Sequence, residues 1–220
     1  PRNIQFHQDE RYLDLYAKLP HAAVTAIFRD SRNNMWFGSW DEVLYKYDPN
    51  TKNEDVFRAS GQMSFVNDEI HCFAEDAKGR IWMGGISKGL QVYDPATGKF
   101  LQYRNDPSRE GTISDNSINC IFIEPSGRIW VGTNRGLSIS NPQRQQFRQH
   151  FLTNIHSGEK QIRIYDFFEV DDKKIWIGTS EGIYVRSPDG GLEHHPLSYK
   201  GTPLHVTSFF RDGNTYYLGT

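Results

Sequence analysis

Short apolar runs recur along this chain, separated by polar, turn-forming residues. No window sustains apolar positions at a 3.6-residue period, so the pattern predicts strands and almost no helix. Five runs of β-branched and aromatic residues open at Val24, Ile70, Ile118, Ile164 and Val206 and cover 24–28, 70–73, 118–123, 164–168 and 206–210. Runs of about five such residues suit a strand buried on both faces. A turn-rich patch follows, Asp30 to Asn34, Asp76 to Gly79 or Pro125 to Gly127, whose residues supply positive φ or local side-chain hydrogen bonds and predict a hairpin. The second strand then carries an aromatic-apolar-Gly tripeptide: Trp36-Phe37-Gly38, Trp82-Met83-Gly84, Trp130-Val131-Gly132, Trp176-Ile177-Gly178 and Tyr217-Leu218-Gly219. Third strands are predicted at 44–47, 90–93, 137–139 and 183–185, and fourth strands around Phe57 and at 100–103, 147–151 and 192–197. Between third and fourth, Asp48-Pro49, Asp94-Pro95, Asn141-Pro142 and Ser187-Pro188 mark turns in which proline presets φ.

Successive copies of the tripeptide stand 46, 48, 46 and 41 residues apart. Self-similarity at about 40–50 residues signals a repeat architecture. Four antiparallel strands per repeat describe the blades of an all-β β-propeller. Trp36, Trp82, Trp130 and Trp176, with Tyr217 in the fifth copy, are then wedges between neighbouring blades, and Gly38, Gly84, Gly132, Gly178 and Gly219 allow close backbone approach. The chain divides into outer strands of a preceding blade over 1–23, blades at 24–69, 70–117, 118–163 and 164–205, and the first two strands of a further blade at 206–220. Residues 4–6 and 12–16 are the outer strands expected in the first segment. Pairing of the two half-blades into a five-bladed ring is the alternative to a ring left open.

Two stretches, Asp76-Ala-Lys-Gly-Arg-Ile-Trp-Met-Gly-Gly85 through Gly89-Leu-Gln-Val-Tyr-Asp-Pro-Ala-Thr-Gly-Lys-Phe100 and Glu124-Pro-Ser-Gly-Arg-Ile-Trp-Val-Gly-Thr-Asn-Arg-Gly-Leu137, resemble the two-component-regulator propeller repeat. So does the crossing Asn105-Asp-Pro-Ser-Arg-Glu-Gly-Thr-Ile-Ser-Asp-Asn-Ser117. The resemblance covers 24–220 and departs at Asp171-Asp-Lys-Lys174, where a Gly-containing turn is usual, and at Ser39-Trp-Asp-Glu-Val43, which lacks a Gly before the third strand. It implies part of a seven-bladed ring in the periplasmic sensor region of an inner-membrane hybrid two-component system. A second propeller in the parent chain and homodimerisation of the parent are implied with it, as are an oligosaccharide ligand and control of glycan-utilisation genes. No kinase phospho-acceptor motif or nucleotide-binding box lies in these residues.

Charge narrows the classes. The chain has 25 basic against 27 acidic side chains and a net charge of −2, without the clustered Lys and Arg that attract phosphate, so direct nucleic-acid contact is not expected. No apolar run approaches the ~18–20 residues that span a bilayer. Two cysteines exclude a disulfide scaffold and a multi-cysteine zinc module. Cys72 and Cys120 each stand ten residues before their Trp, and they are expected to be buried free thiols filling equivalent sites in consecutive blades.

Metal and cofactor are not expected. His194 and His195 are adjacent and point to opposite faces of a strand, and the residues equivalent to His71 (Thr25, Asn119, Tyr165 and Thr207) are no ligand set, though they could line a central channel. No His-Glu-x-x-His and no Gly-x-Gly-x-x-Gly motif occurs in the sequence. The Asp that sialidases place five residues before the Trp corresponds here to Ser31, Ala77, Pro125 and Asp171, so a propeller glycosidase is a minor alternative. In a propeller, the loops between second and third strands share a face with the crossings into the next blade. That face carries Trp40, Asp41, Lys88, Asn134, Arg135 and Glu181, with Arg109, His156 and Lys160 from the crossings. Trp40 is the one Trp outside the tripeptides; an exposed indole can stack on a sugar, and Arg or Lys can engage a carboxylate or sulfate. A structural or protein-interaction propeller without its own ligand is the other alternative.

Overall fold

The computed structural model describes residues 23–59, 65–66, 68–141, 146–150, 152, 161–170 and 173–220. The expected strands at 4–6 and 12–16, and the candidates His156 and Lys160, lie outside them. Blade 1 is β1 (Val24–Arg29), β2 (Met35–Ser39), β3 (Leu44–Asp48) and β4 (Asn53–Phe57). Blade 2 is β5 (Ile70–Glu75), β6 (Ile81–Gly85), β7 (Leu90–Asp94) and β8 (Lys99–Tyr103). Blade 3 is β9 (Ile118–Ile123), β10 (Ile129–Thr133), β11 (Gly136–Asn141) and β12 (Gln146–His150). Blade 4 is β13 (Ile164–Glu169), β14 (Ile175–Thr179), β15 (Gly182–Arg186) and β16 (Leu192–His195). A small hairpin, β17 (Ser198–Tyr199) with β18 (Thr202–Pro203), leads to the pair β19 (Ser208–Asp212) and β20 (Thr215–Gly219). Each blade is an antiparallel sheet in chain order, and the inner strands β1, β5, β9, β13 and β19 follow one another side by side.

The Asp-Pro turns form as their residues dictate. Asp48 accepts from the amide of Asn50 at 2.8 Å and Asp94 from that of Ala96 at 2.9 Å. The fifth inner strand begins at Ser208, two residues later than expected, because the Val206 amide bonds the Thr179 carbonyl of blade 4 instead of joining the strand. The hairpin β17–β18 was not expected from the pattern; Lys200 and Gly201 both take positive φ, the conformation that suits a two-residue hairpin turn.

The apolar runs of the first strands predict the deepest burial there, and the structure moves it one strand outward. β6 and β10 are buried at every residue, whereas most of β5 and β9 is only half-buried. An inner strand is the edge of its own sheet; a second strand has a strand on each side and a blade against each face. Each core cluster between blades joins a Trp to the next blade. Trp36 packs with Ile70, Ile81 and Met83, Trp82 with Ile118, Ile129 and Val131, and Trp130 with Ile164, Ile175 and Ile177. Trp176 meets Phe209 and Tyr216 at 6.0 and 4.9 Å between ring centres.

The tripeptide glycines receive the next blade. A Cβ on Gly38 would lie 2.5 Å from the Ile70 carbonyl oxygen, on Gly84 2.5 Å from Ile118 Cβ, on Gly132 2.7 Å from Ile164 Cγ2 and on Gly178 2.6 Å from the Val206 carbonyl oxygen. Among the described residues, Ile70, Ile118, Ile164 and Val206 thus each sit on the tripeptide glycine of the blade before.

Two further regularities hold the blades. The carboxylate six residues before the Trp accepts the buried indole N–H: Asp30 from Trp36 at 2.9 Å, Asp76 from Trp82 at 3.0 Å and Glu124 from Trp130 at 2.7 Å. Blade 4 has Val170 at that position. A β-bulge also recurs at the second residue of β1, β5, β9 and β13, so Thr25, His71, Asn119 and Tyr165 are skipped in the register. A bulge re-aims its side chain. Here Thr25 Oγ1 donates to the Ile70 carbonyl at 2.6 Å and Asn119 Nδ2 to the Ile164 carbonyl at 2.9 Å, tying blade 1 to blade 2 and blade 3 to blade 4.

Candidate functional site

The β2–β3, β6–β7, β10–β11 and β14–β15 loops lie on one face because each bonds the crossing that enters its own blade or the next. Trp40 N–H donates to the Ala23 carbonyl, Gly89 N–H to Asn116, Asn134 N–H to Ser117 and Ser180 N–H to Arg163, at 2.9 to 3.3 Å. Two loop designs result. In blades 3 and 4 the loop is two residues, Asn134-Arg135 and Ser180-Glu181, closed by a Thr hydroxyl. Thr133 Oγ1 donates to the Gly136 carbonyl at 2.8 Å and accepts from the Arg135 amide at 3.0 Å, and Thr179 does the same with Gly182 and Glu181 at 2.9 and 3.0 Å. In blades 1 and 2 the ladder ends earlier, at Gly38–Leu44 and Gly84–Leu90, so residues 39–43 and 85–89 bulge outward.

These longer loops carry exposed apolar side chains. Trp40 is 67% exposed, and Ile86, at the same position of the next blade, is 48% exposed. Asp41 turns its carboxylate to the Ser39 hydroxyl. Lys88 is half-buried; its backbone is held on both sides, the amide by Asp68 and the carbonyl by the Gln102 side chain at 2.7 Å. Trp40, Asp41 and Lys88 therefore share the loop end of blades 1 and 2.

The other candidates separate from them. Asn134 is engaged within the fold, donating to Ser117 Oγ at 2.8 Å and accepting from Asn119 Nδ2 at 3.1 Å. Arg135 is exposed with its Nε 3.9 Å from Asp115 Oδ2. Glu181 is half-buried, and its carbonyl contacts His194 Nε2 at 2.7 Å. Arg109 lies away from the loop tips, in a cavity of about 510 Å³ between the 104–117 crossing and β12, where Arg148, Gln146 and Glu110 also line the wall. Asp106, in the same cavity, has its carboxyl held below the usual range by the Ser108 hydroxyl and amide.

Sequence reasoning passed over Ile86, Asp115 and Arg148. Ile86 was legible: aligning the repeats on the Trp puts Trp40, Ile86, Asn134 and Ser180 in one column, apolar in blades 1 and 2 and polar in blades 3 and 4. Arg148 was not, because nothing in its local sequence tells that β12 faces the 104–117 crossing.

Chemistry elsewhere is muted. Cys72 and Cys120 are free, and burial pushes the Cys72 thiol up to about 12 and that of Cys120 well above its ordinary value, so neither is a ready nucleophile. Among the described residues no group of three or more His, Cys, Asp or Glu is placed to hold a metal ion. Asp166 stands in the column of Ala26, Cys72, Cys120 and Ser208, where burial raises its pKa against the amides of Phe209 and Phe167 that bond it.

The profile of the two component regulator propeller matches residues 18–41, 64–87 and 112–135, each match running through an inner strand, its turn and the Trp-x-Gly strand. A histidine kinase, P4 of Formosa agariphila, is 26% identical over 107 residues, which are 48% of this chain and 8% of that protein. Two solved extracellular domains assigned to hybrid two component systems of B. thetaiotaomicron share the fold. One is 20% identical with a TM-score of 0.62 and the other 19% identical with a TM-score of 0.52. They cover 91% and 90% of this chain, which spans 31% and 32% of theirs.

Proposed function

We propose that this chain, which carries two component regulator propeller repeats, is a sensor segment of a hybrid two-component system, facing the outside of the cytoplasm and binding an oligosaccharide. The observation that carries the ligand reading is the loop end of blades 1 and 2. An indole 67% exposed at Trp40 stands beside polar loops on a rigid β scaffold, the setting in which binding residues concentrate. Lys88 and Arg135 supply cations for a carboxylate or sulfate on the same face. Kinase output, a second propeller and dimerisation belong to the remainder of the parent, and the segment itself performs no catalysis. Sensing then requires that the saccharide bind one arrangement of the parent better than another, since only differential affinity biases an equilibrium.

Calorimetry of the chain against a panel of neutral, uronate-bearing and sulfated oligosaccharides tests this. A saccharide that binds wild type and loses about tenfold in affinity with Trp40→Ala supports it. Binding by no member of the panel would count against saccharide sensing and for a propeller that contacts other protein segments.

A further inference from the structure

Three blades end their second strand in a hydroxyl residue that closes the loop: Ser39, Thr133 and Thr179. Blade 2 ends in Gly85 and has none. The place of the missing oxygen is taken from outside the strand. Asp68, in the crossing that enters blade 2, is 1% exposed, and its carboxylate accepts from the Lys88 amide at 2.9 Å and from the Ser87 amide and hydroxyl at 3.3 and 3.2 Å. Glycine admits it: a Cβ at position 85 would run into the Asp68 carboxylate and come within 2.6 Å of the Glu69 carbonyl oxygen.

The crossing is itself anchored. Phe65 is buried in the cluster between blades 1 and 2, and the Gln91 side chain, buried in β7, both donates to the Val66 carbonyl and accepts from its amide at 2.9 Å. In blade 3 the corresponding residue of the crossing is Asn116. There Thr133 already supplies the hydroxyl, and the Asn116 side chain instead accepts from the Asn105 amide at 2.8 Å. Two positions of one repeat thus exchange roles between adjacent blades.

We infer that Asp68 is the positioning residue of the Ile86–Lys88 loop, transmitting the anchored crossing to the face proposed to hold the saccharide. That the loop meets ligand rests on the proposed function; the positioning rests on the geometry alone. A carboxylate is a strong acceptor for amides, and a part-buried amide stripped of its acceptor turns to water.

The test is amide hydrogen exchange at Ser87 and Lys88 in the full chain, read beside saccharide calorimetry. Asp68→Ala is expected to speed exchange at those two amides about tenfold or more, with Arg135 and Glu181 unchanged, and Asp68→Asn, which keeps an acceptor oxygen, to restore much of the protection. Gly85→Ala, by displacing the carboxylate, gives the same loss of protection at these two amides. Unchanged exchange in Asp68→Ala, or equal loss in Asp68→Asn, overturns the positioning role. With a saccharide that binds wild type, weakened affinity in Asp68→Ala that Asp68→Asn recovers supports the link to ligand. A loosened loop with unaltered affinity overturns that link. Absence of any saccharide binding by wild type sinks the proposed function, while exchange still decides the role of Asp68.

Discussion

Replacing Asp76 by alanine separates the contribution of the indole–carboxylate contact from that of Trp burial itself. The Asp76 side chain is 8% exposed and accepts from Trp82 Nε1 at 3.0 Å, from the amides of Lys78 and Arg80 at 3.0 Å each, and from Arg80 Nε at 2.7 Å. The Lys78 amide is exposed and water replaces its partner. The Trp82 N–H is buried, and leaving it unsatisfied costs about 1–3 kcal/mol. The Arg80 pair is partly solvated and adds at most about 1 kcal/mol. Asp76→Ala should therefore lose about 3 kcal/mol, which lowers the thermal midpoint of a chain of this size by about 6–12 °C. Urea denaturation followed by tryptophan fluorescence measures it, with Asp76→Ala and Trp82→Phe combined in a double-mutant cycle. Since phenylalanine has no N–H to strand, Asp76→Ala should cost about 1–2 kcal/mol less in the Trp82→Phe background. The pH dependence carries a sign. Burial alone raises the Asp76 pKa, but hydrogen bonds from Trp82 and Arg80 and the Arg80 charge outweigh it, and the net shift is below the ordinary 3.8. The contribution is thus complete above 3.8 and disappears as pH falls through the lowered folded value, so the gap between wild type and Asp76→Ala closes only in acid. A loss under about 0.5 kcal/mol, or an equal loss with and without the indole, would refute the reasoning.

Gly132→Ala should cost about 1–3 kcal/mol by the same urea assay, since its Cβ meets Ile164 of the next blade; a neutral result would mean that the blades slide apart freely. Asp166→Asn should stabilise at neutral pH. The raised folded pKa makes the wild-type site unfavourable above that value, so the advantage in thermal midpoint should shrink to nothing as pH drops below 3.8. An advantage independent of pH would exclude ionisation as its cause. Both thiols should resist alkylation in the native chain at pH 8 and react in denaturant, and fast native labelling of Cys120 would contradict its burial.

Much of the architecture is legible in the chain because a repeat reports the same physics five times. One Trp-x-Gly could be any strand; four of them and a Tyr-x-Gly at near-constant spacing, each preceded by a β-branched run and a turn, leave little besides stacked four-stranded sheets. The acid six residues before the Trp in blades 1 to 3 is equally legible in the alignment of the repeats, as Asp30, Asp76 and Glu124. The candidate site was less legible. Trp40, Asp41 and Lys88 gather on adjacent loops, but Arg109 sits in a separate cavity, and Asn134 spends its polar groups on the fold. Residue type told that these side chains could bind; it could not tell which were already engaged.

The division is a matter of range. Strand existence, turn positions and the repeat unit follow from neighbours a few residues apart, and local preference with hydrophobic patterning settles them in the sequence itself. Burial of the second strand instead of the first, the bulges that turn Thr25 and Asn119 toward the next blade, and the loan of Asp68 to a loop some 20 residues away are different. They depend on what one blade leaves unfilled for another: an empty Cβ site at a glycine, an unpaired carbonyl, an absent hydroxyl. Such vacancies exist only once the blades are stacked.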